Sequence, residues 1–280
     1  MVARIVTFAF DGAKAVRVDV QVQITDGGSQ FFFGVVGLAD KAVGESRERV
    51  RAAFSAMGLA LPSKRILVNL SPADLPKEGS HYDAPIALAV LGAMGVLPSD
   101  ALEGLACMGE LGLDGAWLPI IGALPAAIAA NEEGLSFICP KESAPEAAWS
   151  GGRVLGVKSL MGFINHVRGL NIIESAKAGE LLDNPSNLDL RDVRGQDQAK
   201  RTLEVAAAGG HNLLMVGPPG SGKSMLAQRL PGLLPPLNAR ELLEVSMIHS
   251  VAGILGRGTL SRTRPFRAPH HSASMAALTG

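Results

Sequence analysis

The stretch that decides the fold of the second half of the chain is Gly-Pro-Pro-Gly-Ser-Gly-Lys-Ser, residues 217–224. It satisfies the spacing G-x-x-x-x-G-K-[ST], with apolar residues 212–216 before it and a helical pattern over 225–230 after it. Glycines at this spacing let the backbone curl so that several N–H groups point inward at phosphate oxygens. The pattern therefore predicts a phosphate-binding loop between a buried strand and a helix, in a P-loop NTPase domain of the α/β class.

Two side chains of this loop have predicted roles in holding a nucleotide. The ammonium of Lys223 would lie on the β- and γ-phosphates, and the hydroxyl of Ser224 would ligate Mg²⁺. We therefore predict ATP and Mg²⁺ as cofactors, with Ser224 as the metal ligand. A chance Gly- and Pro-rich turn is the alternative, which the strand and helix patterns on either side disfavour. The predicted cofactor-binding residues of the loop are Gly217, Pro218, Pro219, Gly220, Ser221, Gly222, Lys223 and Ser224.

A P-loop enzyme that hydrolyses its nucleotide also needs an acidic residue after a second apolar strand, where it holds Mg²⁺ and orients water. The acidic residues after Lys223 are Glu241 and Glu244, and both fall in a predicted helix that Asn238 caps. No apolar strand ending in Asp-Glu precedes Gly280. The sequence thus predicts the N-terminal part of a motor domain, truncated before its Walker B strand. We expect no catalytic residue in it, and ATP binding without hydrolysis by this chain alone.

The last segment of the chain is basic. It contains no Asp or Glu after Glu244, and it includes an adjacent histidine pair, His270-His271. One interpretation is a loop that contacts DNA phosphates. The alternative, which the sequence favours slightly, is a solvated loop whose acidic partners lie in the part of the motor domain that this sequence does not include. A metal site at the histidine pair is disfavoured because adjacent histidines seldom converge on one ion. The candidate DNA contacts are Arg257, Arg262, Arg264 and Arg267.

The N-terminal part contains a strand identified by its alternation. Residues 16–24 place valine or isoleucine at every second position, with Arg, Asp or Gln between them. A turn at Gly27-Gly28, a returning strand over 30–36 and an amphipathic helix over 39–57 follow. The mixture lacks a regular βαβ repeat, which predicts an α+β domain. Further expected elements are strands at 65–70, 136–139 and 153–157, helices at 84–94, 124–132 and 160–167, and a hairpin over 105–118 around Asp114-Gly115.

Composition is that of a globular cytoplasmic protein. Hydrophobic residues make up 47% and charged residues 19%, and Lys+Arg and Asp+Glu are both 26. The two cysteines lie alone in apolar stretches, which favours buried thiols over a metal site. We expect no signal peptide, and no membrane span, because the longest apolar stretch, 84–97, is short and contains two glycines. The polar segment 176–187 is a plausible linker.

Several runs of the sequence carry a family resemblance. They are Val-Gly-Leu-Ala-Asp at 36–40, Glu-Ser-Arg-Glu-Arg-Val at 45–50, Val-Asn-Leu-Ser-Pro-Ala-Asp-Leu-Pro-Lys-Glu-Gly at 68–79, Arg-Gly-Gln at 194–196, Ala-Ala-Ala-Gly-Gly-His-Asn at 206–212 and Pro-Phe-Arg-Ala-Pro-His-His-Ser at 265–272. In this order, over nearly the whole chain, they resemble the magnesium chelatase-like AAA+ ATPases of the YifB/ComM type.

The resemblance implies a domain organisation and a function. Residues 1–175 would form a Lon-protease-like domain of the ribosomal S5 domain 2-like fold, 176–188 a linker, and 189–280 the N-terminal part of an AAA+ domain. Full-length members resemble a homo-hexameric helicase that drives DNA branch migration in natural transformation. By the same resemblance, Val193 and Gly195 would lie near the adenine of ATP.

A Lon-like fold raises the alternative of a protease with a Ser–Lys dyad. The nucleophile's position aligns with Asp83 and the lysine's position with Leu124, and neither residue can act in that chemistry. Ser80 lies near, but Lys77 is the one lysine close to it in that segment. A metal-chelatase motor subunit is a further alternative, against which the Lon-like first domain favours the helicase-like group.

Overall fold

The computed structural model describes residues 2–26, 31–98, 100–183, 188–270 and 272–276. Backbone contacts divide the chain into two compact units. The first consists of Met1–Glu180 together with Glu244–Leu260, and the second of Leu181–Leu243 together with Ser261–Gly280. The predicted glycine turn at Gly27-Gly28 lies outside the described residues.

The first unit is built on a sheet covered by helices. Its strands are β1 (Val2–Asp11), β2 (Lys14–Thr25), β3 (Phe32–Val36), β4 (Arg65–Ser71), β5 (Leu105–Cys107), β6 (Glu110–Leu111), β7 (Trp117–Leu118), β8 (Ser136–Pro140) and β9 (Val154–Val157). Its helices are α1 (Lys41–Ala56), α2 (Asp83–Ala93), α3 (Ala123–Glu132), α4 (Ala144–Ala147) and α5 (Leu160–Val167), with 3₁₀ turns at Ser80–Tyr82, Ala148–Ser150 and Gly256–Gly258.

The main sheet has seven strands in the order β3-β4-β2-β1-β5-β8-β9. The pairs β1–β2 and β2–β4 are antiparallel, and the other neighbours are parallel. The alternation predicted for β2 is confirmed, because Val18, Val20 and Val22 are fully buried while the residues between them are partly exposed. The sheet is therefore mixed and mostly parallel.

The expectation that the chain lacks a βαβ repeat is wrong for the second half of this sheet. There β5 is followed, after the short β6–β7 hairpin, by α3, β8, α4 and β9, and the three strands β5, β8 and β9 are parallel. These strands are only three to five residues long, and α3 is built largely of buried alanines. Neither feature gives a strong period in the sequence. The unit thus has more α/β character than the predicted α+β class.

The hairpin predicted over 105–118 is shorter in the structure. Only β6 and β7 pair with each other, around a turn in which Gly115 has φ +83°. The strand β5 joins the main sheet instead, where Ala106 lies opposite both Val6 of β1 and Phe137 of β8. The apolar residues of β5 are mostly buried between these neighbours, which explains why it leaves the hairpin.

The core of the first unit lies around α2, whose residues Asp83 to Gly92 are all buried. This confirms the core helix that the sequence predicts over 84–94. Both cysteines, Cys107 and Cys139, are buried free thiols, as expected. Among the described residues, no helix has both the length and the apolar character required to cross a bilayer.

The second unit is smaller. Its elements, together with the two that it shares with the first unit, are β10 (Leu181–Leu182), a 3₁₀ turn at Leu190–Asp192, α6 (Asp197–Gly209), α7 (Lys223–Ala227), a 3₁₀ turn at Leu230–Leu233, α8 (Ala239–Val251) and β11 (Leu260–Ser261). The division between units falls within α8 and within β11. The buried cluster of the second unit consists of Leu190, Val193, Leu203 and Leu226.

The start of α8 is as predicted. The side-chain oxygen of Asn238 accepts from the backbone N–H of Glu241 at 3.0 Å, and a Glu241 carboxylate oxygen accepts from the N–H of Asn238 at 3.0 Å. This reciprocal capping fixes the first turn. The helix continues to Val251, beyond the predicted end near Met247.

The buried strand predicted over 212–216 is not formed. The segment is irregular, and Leu214 and Val216 are 86% and 88% exposed. A strand needs a neighbouring backbone to receive its hydrogen bonds. In the described part of the second unit, no strand lies beside this segment, so its apolar pattern has no sheet to join.

Candidate functional site

The phosphate-binding loop depends on two glycines with left-handed backbone conformation. Gly220 has φ +78° and Gly222 has φ +85°, a region that residues with a Cβ rarely adopt. Helix α7 begins at the next residue, Lys223, so the loop leads directly into a helix start. This geometry is the tight turn and close helix entry that the motif's glycine spacing predicts.

The side chain of Lys223 folds back over the loop. Its ammonium donates to the carbonyl oxygens of Gly217 and Pro218, both at 2.8 Å, and to the hydroxyl of Ser221 at 3.2 Å. These partners are neutral dipoles, and the loop is largely exposed. Phosphate oxygens carry full negative charge and form stronger bonds with an ammonium. The ammonium of Lys223 therefore lies on the loop, and a bound anion could replace the neutral oxygens as its hydrogen-bond partners.

Gln196 fixes the far side of the loop, and sequence reasoning did not single it out. Its side-chain amide donates to the carbonyl of Ser221 at 3.1 Å. It also has φ +60°, an uncommon conformation for a residue with a side chain, next to Gly195 at φ +64°. The sequence feature that points to Gln196 is its position in Arg-Gly-Gln at 194–196, one of the runs that carry the family resemblance.

The two residues expected near the adenine have different surroundings. Val193 is buried in the apolar cluster that includes Leu226 of α7, and Gly195 has open space where a Cβ would be. Gly195 adjoins Gln196, which contacts the loop. A position near a bound base remains a prediction for both.

Ser224 lies in the first turn of α7 and is exposed. A hydroxyl is a suitable single ligand for Mg²⁺, which otherwise takes phosphate oxygens and water in nucleotide sites. Within the described residues, no group of three or more His, Cys, Asp or Glu side chains could hold a metal ion. The residues present thus fit an ion that arrives with a nucleotide.

The arginines of the basic segment differ in their surroundings. Arg264 forms a bidentate ion pair with Glu241, with both N···O distances 3.0 Å, and donates to the carbonyl of Pro235 at 2.7 Å. Arg262 and Arg267 are exposed, whereas the side chain of Arg257 lies outside the description. Glu241 is therefore an acidic partner within the chain for one of the four.

The second half of the histidine pair, His271, also lies outside the described residues. The ring of His270 lies 2.7 Å from the hydroxyl of Ser272, measured from Nδ1.

The residue at the predicted nucleophile position has a structural role. Asp83 is fully buried and pairs with the guanidinium of Arg49 at 2.6 and 3.0 Å. Its carboxylate also accepts from the backbone N–H of Leu111 at 3.2 Å. The hydrogen bond with Asp83 is the main cause that raises the pKa of Arg49. Asp83 is thus a buried ion-pair partner that ties α1 to α2 and β6.

Lys77 and Ser80, the other residues considered for a protease dyad, form hydrogen bonds with other partners. The ammonium of Lys77 donates to the carbonyl of Pro72, and the hydroxyl of Ser80 donates to the carboxylate of Glu110. Leu124, at the predicted lysine position, is a buried residue of α3. No Ser–Lys hydrogen bond forms among these described residues, so Ser80 has no lysine partner of the kind that a Ser–Lys dyad requires.

Comparison with known proteins adds family evidence. The family model described as magnesium chelatase, subunit ChlI, matches residues 189–280, and the model described as subunit ChlI of Mg-chelatase matches residues 20–143. The chain is 42% identical to the uncharacterized protein YifB of Escherichia coli, over 96% of this chain and 53% of that protein. It is 39% identical to the competence protein ComM of Haemophilus influenzae, over 96% of this chain and 54% of that protein.

An uncharacterized protein of Mycobacterium tuberculosis is 46% identical over 99% of this chain and 55% of that protein. The chain thus spans about half the length of the curated relatives it matches. A local match to a putative lon protease homolog of Thermoplasma volcanium covers 22% of the chain. The family resemblance noted in the sequence is confirmed.

Proposed function

We propose that this chain, which belongs to the magnesium chelatase-like family that includes YifB and ComM, binds MgATP through the loop at residues 217–224. The observation that carries the proposal is the position of Lys223, whose ammonium lies on the loop's own oxygens at 2.8–3.2 Å. A bound triphosphate would take over these contacts and neutralise the charge.

The bound nucleotide would supply the phosphates and the ion, and the chain's own residues would hold them. Gly220 and Gly222 let the backbone approach closely, and Ser224 would ligate Mg²⁺. Gln196 would keep the loop in shape through its bond to the carbonyl of Ser221. Val193 and Gly195 are the proposed neighbours of the base.

The experiment that tests the site is thermal unfolding with and without MgATP. A ligand that binds only the folded protein raises its stability in proportion to ln(1 + [L]/Kd). We expect MgATP to raise the melting temperature of the wild-type chain and not that of Lys223→Ala. The control is Lys41→Ala, which removes a lysine whose side chain is 93% exposed in the first unit and should keep the shift. An equal shift in Lys223→Ala would disprove the site.

We further propose that this 280-residue chain binds MgATP without appreciable turnover. After Lys223 its acidic residues are Glu241 and Glu244, and Glu241 is engaged by Arg264 and by the start of α8. Hydrolysis requires an acid that completes Mg²⁺ coordination and a residue that orients water. A phosphate-release assay checks this: turnover that is lost in Lys223→Ala would reveal a catalytic acid within the chain.

The finer function proposed by resemblance is that of a cytoplasmic DNA-processing motor. The family's full-length members would act as homo-hexamers that remodel DNA in recombination and natural transformation, and the printed name of ComM refers to competence for that protein. Exposed Arg262 and Arg267 support phosphate contacts in this chain. A metal-chelatase motor and a Lon-like protease remain alternatives, and the partners found for Lys77 and Ser80 disfavour the second.

A further inference from the structure

The first unit contains a cavity of about 680 Å³ at the carboxyl ends of the parallel strands β8 and β9. Lys141 follows the last residue of β8, Lys158 follows the last residue of β9, and both line the cavity. The backbone N–H of Lys141 donates to the carbonyl of Val157 at 2.8 Å, so the two lysines leave adjacent strand ends. In open α/β sheets, ligands commonly bind outside the carboxyl ends of the strands.

The segment 171–177 forms another wall of this cavity. Its backbone is anchored at two points. The N–H of Ile173 donates to Nδ1 of His166 in α5 at 2.9 Å, and the N–H of Ala176 donates to a carbonyl of β9 at 2.8 Å. A third lysine, Lys177, follows directly after the second anchor and also lines the cavity.

The charged residues that line the cavity are mostly basic. They are Lys141, Lys158, Lys177 and Glu174, which leaves an excess of two positive charges. All three lysines are exposed, so a ligand can reach their ammonium groups. Among the described residues, none of these ammonium groups has an ion-pair or hydrogen-bond partner. The cavity thus has the charge to attract an anion.

The size of this charge excess selects the kind of anion. A phosphate monoester group carries a charge of about −1.5 to −2 at pH 7 and offers three strong acceptor oxygens. One such group balances the excess, whereas a single carboxylate balances half of it. An ammonium has three donors and no acceptor, and it binds phosphate as a point charge.

Two neutral residues of the lining add donors. The hydroxyl of Ser159 accepts from the N–H of Gly162 at 3.1 Å, which leaves its own hydrogen free to be donated. The side-chain amide of Asn171 has two further N–H donors. Both residues therefore suit the acceptor oxygens of a phosphate group.

The cavity has room for more than a phosphate group. Its volume falls within the range of about 300–1,000 Å³ that is typical of small-molecule sites. Apolar residues also line it, namely Ala144, Pro145, Ile173 and Ala176. We propose that this cavity binds a dianionic phosphate group, a chemistry that inorganic phosphate and the phosphate monoesters of small organic molecules share.

Isothermal titration at fixed ionic strength tests the proposal. The protein is the full 280-residue chain carrying Lys223→Ala, which removes the ammonium of the nucleotide loop, and the probes are inorganic phosphate and ribose 5-phosphate. We expect at least one of the two to bind. Dimethyl phosphate, which carries a single negative charge, should bind about tenfold more weakly, and ribose should not bind.

Substitutions in the same background locate the site. Lys141→Gln and Lys158→Gln should each weaken phosphate binding about tenfold, because each removes a charge-assisted hydrogen bond. Glu174→Gln should strengthen it about threefold, because it removes the one negative charge of the lining. Lys41→Gln removes the same charge from a lysine that is 93% exposed and does not line the cavity. This control should bind like the parent protein, and thermal unfolding shows that each variant is folded.

The two probes distinguish the sources of the phosphate group. Equal affinity for both indicates a site for the free ion, and tighter binding of ribose 5-phosphate indicates a site for a monoester. Failure of both probes to bind would overturn the proposal. So would unchanged affinity in folded Lys141→Gln and Lys158→Gln, weaker binding in Glu174→Gln, or equal binding of dimethyl phosphate.

Discussion

At the scale of single residues, the buried ion pair between Arg49 and Asp83 shows how this chain uses charge inside its core. Asp83 is fully buried at the first position of α2, and the guanidinium of Arg49 reaches it from α1. A buried charge is tolerated only when it is paired and hydrogen-bonded. The pair therefore fixes how α1 and α2 lie against each other.

Removal of one partner should be strongly destabilising. We predict that Asp83→Ala lowers the free energy of unfolding by about 3 kcal/mol, because Arg49 is left without its buried partner. Urea denaturation measures the loss. Asp26→Ala, which breaks the exposed pair with Lys64 at 2.8 Å, is the control and should change the free energy of unfolding far less, because water screens an exposed ion pair. Equal small losses in both variants would contradict the structural role of Asp83.

At the scale of elements, the segment Glu244–Leu260 packs against α4 and the start of α3 within the first unit. The hydroxyl of Ser250 donates to the buried carboxyl of Glu146 at 2.5 Å, and the backbone N–H of Leu124 donates to the same oxygen at 3.1 Å. A Cβ on Gly258 would lie 2.4 Å from the backbone nitrogen of Glu146. The indole N–H of Trp149 also donates to the carbonyl of Gly258 at 2.7 Å, so a buried carboxyl, this hydrogen bond and a close backbone approach all hold the segment.

The carboxyl of Glu146 should make the stability of the first unit depend on pH. Burial raises its pKa above the ordinary 4.5, although the bonds from Ser250 and Leu124 oppose that shift. Because the pKa is raised in the folded state, the contribution of protonated Glu146 to stability is fully present below about pH 4.5. That contribution is lost as pH rises through the folded-state pKa. Glu146→Gln keeps the acceptor oxygen without the charge.

We therefore predict that Glu146→Gln gains stability relative to the wild type between pH 4 and pH 7. Urea unfolding at a series of pH values checks this. Glu142→Gln, at an exposed position two residues before α4, is the matched control and should show no such gain. A constant difference between Glu146→Gln and the wild type across this range would argue against the assignment.

A helix or strand is predicted well from the sequence when its apolar residues repeat with a clear period. Strand β2 alternates over its length and α1 is amphipathic, and both were predicted within a few residues. The sequence predicts the short strand β5 as part of a hairpin, because its three residues carry no pattern that shows which strands they pair with. The segment 212–216 has the composition of a buried strand, but a strand forms only where a neighbouring backbone accepts it.

The candidate site was predictable where chemistry requires a particular residue type. The glycines and Lys223 of the loop follow from the motif, and the structure gives the predicted turn and helix start. Gln196 was missed because its role depends on a contact between segments 25 residues apart. The pairing of Arg264 with Glu241 likewise depends on tertiary packing that spacing alone does not reveal.

At the scale of the whole molecule, the net charge is zero, so any DNA binding must come from a local patch. We predict weak, salt-sensitive binding of duplex DNA, because phosphate contacts release counterions. The double variant Arg262→Ala/Arg267→Ala should lower the salt slope by about 2. Fluorescence anisotropy at several salt concentrations measures it. Arg264→Ala should change the slope less, because Arg264 is paired with Glu241. A slope that the double variant leaves unchanged would exclude the two exposed arginines.

Binding of MgATP by the second unit, with Lys223 contributing much of the affinity, is what we propose for this molecule. The most direct measurement is isothermal titration of MgATP into the wild-type chain and into Lys223→Ala, with Lys41→Ala as the charge-loss control. We expect a single saturating site in the wild type and in Lys41→Ala, and no measurable binding in Lys223→Ala at the same concentrations, because the phosphates lose their cation. Equal affinity in Lys223→Ala and the wild type, or no binding in any of the three, would contradict it.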